Sequence, residues 1–312
     1  MPAKTEPNYV GLDISKAQVD YTVSEDAVCP VPNTAEGHLK LITELRRLPH
    51  PRVVCESSGG YERLIVAALL AAGIEVCQVQ PARARAFAYA EGLLAKTDRI
   101  DALMLRRYGQ SVELHLSVPT DPSSAALRDL LDRRRDILER LTLLDCQLAT
   151  ARETLAPWLK REQRFLQKEQ RRLQQEIDDH IARDPTLKQK YTRVQEMKGV
   201  GPVLAATLLA YLPELGTLPD PTISALVGVV PYAKDSGKTS SPRHIRGGRA
   251  AVRHVLYMAA VSASRSNPIL AAFYQRLKAK GKPSMVCLVA VMRKMLTVLN
   301  RLLAKPTFVL AD

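Results

Sequence analysis

Apolar and polar positions along the first third of the chain alternate between a two-residue and a 3.6-residue period. Tyr9-Val10-Gly11-Leu12-Asp13 reads as a strand, and Val19-Asp20-Tyr21-Thr22-Val23 as an alternating second strand able to form a hairpin with it. Gly37 to Leu48 has helical spacing, and Val53-Val54-Cys55-Glu56 is a short buried strand. Tyr61 to Ala72 is a helix closed by Gly73 at the usual C-cap position, Val76 to Val79 a further strand, and Thr97 to Tyr108 a further helix. Interleaved strands and helices predict an α/β sheet over residues 1–118, with chemistry at the strand ends.

The pattern then changes. Pro119 and Pro122 break the chain and Ser123 or Ser124 can cap a new helix. Leu127, Leu130, Arg134, Ile137, Leu141, Leu144, Leu148, Ala151, Leu155 and Trp158 alternate spacings of three and four, a coiled-coil seam with one arginine in it. Pro157 breaks or kinks it, and a weaker seam (Leu166, Leu173, Ile177) runs on to Arg183. Residues 119–184 are therefore expected as a coiled-coil segment or helical hairpin, paired either within the chain or with a second copy. Residues 185–312 read as a mainly helical third part. In it Met197-Lys198-Gly199-Val200-Gly201-Pro202 joins two helical stretches. Such a turn resembles a helix-hairpin-helix, whose backbone N–H groups can bind a DNA phosphate through Lys198, Gly199 and Gly201, although a plain interhelical turn has the same look. A loop rich in Ser, Gly and Arg runs from Tyr232 to Gly248, followed by helices over Arg249–Ser264 and Met285–Leu303.

Charge changes this picture. The chain of 312 residues carries +13, and from Pro231 to Asp312 it has 15 Lys+Arg against two acids, Asp235 and Asp312. A folded, amphipathic and basic region reads as a nucleic-acid surface, the plainer alternative being a solvated basic face. Five separated cysteines (Cys29, Cys55, Cys77, Cys146, Cys287) without a C-x-x-C pair fit reduced thiols rather than a disulfide framework or a zinc site. Residues 1–9 hold no hydrophobic signal region and no apolar run reaches the ~18 residues needed to span a membrane, so the expected location is the cytoplasm.

Candidate chemistry begins with four acids. Asp13 and Glu56 end predicted strands, and Asp98 and Asp101 lie three apart on one helix face. Singly, each has an ordinary explanation in a turn or a helix dipole. Together they form a set of oxygen donors suited to one or two Mg²⁺, and clustered carboxylates without a cation repel one another.

Val10-Gly11-Leu12-Asp13, Cys55-Glu56-Ser57-Ser58-Gly59 and Lys96-Thr97-Asp98-Arg99-Ile100-Asp101-Ala102 resemble the Asp, Glu, Asp, Asp signature of transposases of bacterial insertion-sequence family 110. Tyr232-Ala233-Lys234-Asp235-Ser236-Gly237, Ile245-Arg246-Gly247-Gly248 and Arg253 resemble the family's C-terminal motif, and the resemblance covers nearly the whole chain. It implies a RuvC-like, ribonuclease H-like first domain and a serine domain at the C-terminus. It also implies a DNA recombinase that excises and inserts its own element, guided by a structured noncoding RNA that pairs with donor and target DNA. By the same resemblance Asp13, Glu56, Asp98 and Asp101 bind Mg²⁺, and Ser236 forms a covalent phosphoserine. The active site is then composite, assembled from dimers into a homo-tetramer at the bacterial nucleoid. Lys238, Arg243, Arg246, Arg249 and Arg253 are expected to clamp phosphate oxygens, with His244 as a proton carrier or phosphate contact. The sequence departs from the family with Arg246 where Lys is commoner. Its polar turn, Lys238 to Pro242, is also longer, which makes Ser240 and Ser241 rival hydroxyls. Two other readings stand beside this one: a RuvC-like nuclease that activates water, with Ser236 structural, and a non-catalytic nucleic-acid scaffold.

Overall fold

The computed structural model describes residues 7–57, 59–93, 98–119, 121–232, 235–236, 239–240 and 243–310. Lys238 and Ser241 fall outside these residues, and so do the side chains of Asp98, Ser236 and Ser240. The chain divides into two compact units, Met1–Pro119 and Thr120–Asp312.

The first unit is built on strands β1 (Asn8–Ile14), β2 (Gln18–Thr22), β3 (Cys29–Pro32), β4 (Pro51–Glu56) and β5 (Glu75–Val79). They form one sheet in the order β3-β2-β1-β4-β5, antiparallel from β1 to β3 and parallel from β1 to β5. Helices α1 (Ala35–Leu45), α2 (Arg63–Ala71), α3 (Pro81–Ala90) and α4 (Asp98–Ser111) cover its faces. Thr34 starts α1 by accepting from the Gly37 N–H. This mixed α/β sheet is consistent with a ribonuclease H-like domain.

Two elements have no counterpart in the hydrophobic pattern. Strand β3 (Cys-Pro-Val-Pro) carries two prolines, which remove ladder donors, and it survives because it is the sheet's edge. Helix α3 alternates alanine with larger residues and buries only Ala84 and Ala88, too little for a visible apolar stripe.

The second unit begins with α5 (Pro122–Thr150) and α6 (Ala156–Arg183), which pack against each other within the chain. Leu127 and Leu131 meet Ile177 and Ile181 near one end, and Ile137 and Leu144 meet Leu166 further along, so the two helices run antiparallel. The Arg134 guanidinium, in the seam, donates to Gln174 Oε1 at 3.1 Å. An intrachain partner thus accounts for the repeat as far as Leu144. Beyond it the chain breaks at 151–155 and Pro157 falls in the first turn of α6, so Leu155 and Trp158, expected in the seam, are exposed.

Helices α7 (Pro185–Gln195), α8 (Pro202–Tyr211), α9 (Asp220–Val227), α10 (Ala250–Ser266), α11 (Pro268–Ala279) and α12 (Ser284–Ala304) gather around a core that includes Leu204, Leu208, Val252, Leu256, Met295 and Leu299. Between α9 and α10 lie four two-residue strands: β6 (Pro231–Tyr232), β7 (Asp235–Ser236), β8 (Thr239–Ser240) and β9 (His244–Ile245). All five cysteines are free. No helix among the described residues is long and apolar enough to cross a membrane.

Candidate active-site elements

The faces of the first sheet separate by strand parity. Val10, Leu12 and Ile14 of β1 and Val53 and Cys55 of β4 pack on the side of α1 and α2. Val54 packs with Met104, Leu105 and Tyr108 of α4 on the opposite side. Successive residues of a strand alternate faces, so Asp13 and Glu56 lie on the α4 side. The parallel register pairs Leu12 with Cys55, which makes Asp13 and Glu56 the next residue on each of two neighbouring strands.

Close packing fixes where α4 lies. A Cβ at Gly11 would overlap the Ala102 carbonyl oxygen and stand 2.6 Å from the Arg106 backbone nitrogen. At Gly109 a Cβ would meet the Tyr9 ring at 2.5 Å and Val54 at 2.7 Å. Only glycine permits this approach at either point. Since Ala102 lies over Gly11 and Gly109 over Tyr9, α4 runs antiparallel to β1. Its N-terminal end, with Asp101 and the backbone of Asp98, therefore sits at the strand ends that carry Asp13 and Glu56. Asp101 is buried at 9% exposure. Glu25, from the β2–β3 connection, accepts from Arg106 at 2.9 Å and Arg107 at 2.5 Å and ties down the middle of α4.

A fifth acid belongs to this face. Asp20 of β2 pairs directly with Asp13 across the antiparallel ladder, and its neighbours Val19 and Tyr21 face the other way. It is 8% exposed and accepts from the Gln18 amide at 2.8 and 3.0 Å. Its signal in the sequence is the Val-Asp-Tyr alternation read together with the hairpin register. As they stand, no three His, Cys, Asp or Glu side chains among the described residues are grouped closely enough to hold a metal ion, and the Asp98 side chain is outside that set. The donors are all carboxylate oxygens, the chemistry that a hard divalent cation such as Mg²⁺ takes.

In the second unit, the segment between α9 and α10 holds two two-stranded ladders, β6 with β9 and β7 with β8. Pro231 pairs with Ile245 and Tyr232 with His244; Asp235 pairs with Ser240 and Ser236 with Thr239. The Ser236 backbone thus pairs with that of Thr239. At the base, Gly228 (φ 77°) lies against Gly247 and Gly248; a Cβ on either Gly228 or Gly248 would overlap the facing backbone. The Arg253 guanidinium donates to the carbonyls of Val227, at 3.2 Å, and of Gly247. Arg249 forks onto the Glu214 carboxylate at 2.5 and 2.6 Å and donates to the Tyr211 carbonyl at 3.0 Å. Burial pushes the Glu214 carboxyl up, but the hydrogen bonds and charge of Arg249 outweigh it and hold it below its ordinary range. Arg243, His244 and Arg246 are exposed. The four arginines expected to grip phosphate therefore divide into two that face solvent and two that hold the loop's base.

A transposase model of the DEDD class in the IS110 family matches residues 10–157, and one described as transposase of the IS116/IS110/IS902 family matches residues 191–275. The chain carries IS110-family transposase domains. It is 24% identical over 305 residues to a pilin gene-inverting protein of Moraxella lacunata, covering 93% of this chain and 94% of that one. A protein of the same description from Moraxella bovis matches equally, at 24% over 305 residues. An uncharacterized 43.6 kDa protein of insertion element IS110 from Streptomyces coelicolor is 26% identical over 206 residues, 65% of this chain and 49% of that protein. Together these point to an enzyme of DNA recombination.

Within the second transposase match, the turn at Met197–Pro202 has two faces. Gly199 (φ 105°) packs against Ala263 of α10, and the Lys198 carbonyl accepts from Asn267, so this side is structural. Gly201, at the N-cap of α8, and the Lys198 side chain are exposed. Nothing in residue spacing marks Glu214 as the partner of Arg249, because the two are 35 positions apart.

Proposed function

We propose that this protein is an RNA-guided DNA recombinase that excises and inserts its own insertion sequence through a covalent phosphoserine. The observation that carries the reading is the convergence of Asp13, Glu56 and the N-terminal end of α4 on one end of one sheet face. Asp20, directly opposite Asp13 on the neighbouring strand, adds a further carboxylate to this face. Asp13, Glu56, Asp98 and Asp101 are the Mg²⁺ ligands in this reading; when bound, the ion supplies positive charge beside the reacting phosphate.

The remaining steps belong to the chain. Ser236 Oγ forms a bond to phosphorus, the bond from phosphorus to one deoxyribose oxygen breaks, and that oxygen leaves as a hydroxyl. The serine proton is lost as the new ester forms. Arg243, Arg246 and Lys238 neutralise the non-bridging phosphate oxygens. In the second half a deoxyribose hydroxyl of the other strand attacks the phosphoserine and releases Ser236. One phosphoester is exchanged for another at each step, so no ATP is consumed. Each active site takes its carboxylates from one protomer and its serine from another, within a tetramer built from dimers. A structured noncoding RNA chooses donor and target by base pairing.

The test is strand exchange on DNA carrying the element's ends, with RNA that co-purifies with the protein sequenced and added back. Wild-type protein is expected to leave a DNA adduct that survives denaturation and is lost in Ser236→Ala. Asp13→Ala is expected to lose both adduct and cleavage. Cleavage that persists in Ser236→Ala would give the chemistry to water, and an adduct that persists would move the nucleophile to Ser240 or Ser241.

A further inference from the structure

In the second unit, α11 ends at Ala279 and α12 starts at Ser284, and every residue from Lys278 to Val286 is exposed. Arg276, Lys278, Lys280 and Lys282 crowd this turn, and Arg293 and Lys294 continue the positive surface along α12. The Arg276 guanidinium lies 5.3 Å and the Lys294 ammonium 4.9 Å from the centroid of one ring, Phe273. Among the described residues none of these six cations pairs with a carboxylate, and the sequence offers none between Asp235 and Asp312. Arg249 and Arg301 differ, being neutralised by Glu214 and Asp220.

Helix electrostatics explains part of this. Arg276 and Lys278 in the last turn of α11 are favoured by the negative end of its dipole. Lys282 is not, since it immediately precedes the positive end of α12, and two cations sharing the Phe273 ring repel each other. Such a surface is stabilised by a polyanion. Two further features narrow the partner. No exposed aromatic ring stands among the six cations, so there is no platform on which unpaired bases could stack. The segment from Arg276 to Lys294 also contains no Asn, Gln, Asp or Glu, leaving few groups to read base edges.

We propose that the α11–α12 turn grips the phosphate backbone of duplex DNA without reading its sequence. The proposal rests on the reading that the chain acts on DNA, but uses none of the residues assigned to cleavage. Its test compares the full-length wild type with Lys278→Ala/Lys280→Ala/Lys282→Ala. The control is Lys168→Ala/Lys188→Ala/Lys190→Ala, which removes equal charge from exposed positions elsewhere in the second unit. Dissociation constants for a mixed-sequence DNA duplex and for an RNA duplex of the same sequence are measured from about 50 to 200 mM salt. Each lost phosphate contact lowers the log–log salt slope by about 0.9, so the turn variant is expected to lose roughly 2 to 3 from its slope on DNA. Its affinity for DNA should fall ~10-fold or more at low salt, while the control variant's affinity for DNA changes less than ~3-fold. Equal losses in both variants, or an unchanged slope, would overturn the proposal, as would a loss confined to RNA. Ser236→Ala should keep the full DNA slope, so failure of the serine chemistry and failure of this grip give different results.

Discussion

The acidic face of the first unit and the base of the serine loop in the second are positioned by opposite means. The first relies on missing side chains: Gly11 lets the backbone of α4 meet that of β1, Gly109 seats α4 against the Tyr9 ring and Val54, and the acids follow from strand register. The second relies on long side chains: Arg249 and Arg253 reach back from α10 to hold α8, the end of α9 and the returning loop. Packing of the first kind is insensitive to charge and intolerant of a single methyl group. Bracketing of the second kind depends on ionisation. Variants can therefore separate the two.

The largest effect is expected at Arg249. Arg249→Ala leaves Glu214 buried without its partner, and breaking a buried pair costs about 3 kcal/mol or more, read as a lowered urea midpoint. The sign of its pH dependence follows from Glu214. A carboxyl held below its ordinary range stabilises the fold fully above the unfolded value near 4.5 and loses that contribution as pH falls through the folded value. In the variant, burial is opposed only by a backbone hydrogen bond, the weakest of the influences, so Glu214 is raised and protonates sooner. The stability gap between the two proteins should thus stay wide at neutral pH and narrow on acidification. A gap independent of pH would mean that Arg249 acts through packing alone.

Gly11→Ala comes next. The added Cβ has to displace the Ala102 carbonyl, and overpacking of this kind costs about 1–3 kcal/mol. Because α4 carries two of the four acids, cleavage should fall ~100-fold or more even where the protein remains folded, since ~1 Å of misplacement suffices for that. Unlike Arg249→Ala, its penalty should not change between neutral and acid pH. Full activity in a folded Gly11→Ala protein would show that the position of α4 does not matter to the chemistry.

The same contrast explains what the sequence discloses. Hydrophobic periodicity reports each element's own burial, so β1, β2, β4, β5 and most helices are legible, whereas proline-rich β3 and alanine-rich α3 are not. Asp13 and Glu56 stand out because strand ends are local features. Gly11 is visible within a motif, but its physical role depends on Ala102, some ninety residues onward, which no local pattern reports. The arginines of the serine region look alike in sequence. Only the fold separates Arg249 and Arg253, occupied by Glu214 and backbone carbonyls, from exposed Arg243 and Arg246. The leucine seam was compatible with a partner inside or outside the chain, and α6 supplies one inside it.

The smallest effect is the one whose sign is most telling. Asp20 faces Asp13 across the β1–β2 ladder, and like charges directly opposite are destabilising by about 0.2–1 kcal/mol. Asp20→Asn keeps an oxygen to accept from Gln18 and removes one charge, so in the absence of divalent cations the variant should be slightly more stable than the wild type. Added Mg²⁺ should then raise the melting temperature of the wild type more than that of the variant, because the ion relieves repulsion that the variant no longer has. Melting curves with chelator and with Mg²⁺ measure both terms. Equal Mg²⁺ shifts would separate Asp20 from the acidic face, while a variant less stable under chelator would mean that its hydrogen bonds to Gln18 outweigh the repulsion from Asp13. Asp20 would then be positioned as the arginine brackets are, by a charged group and its donor.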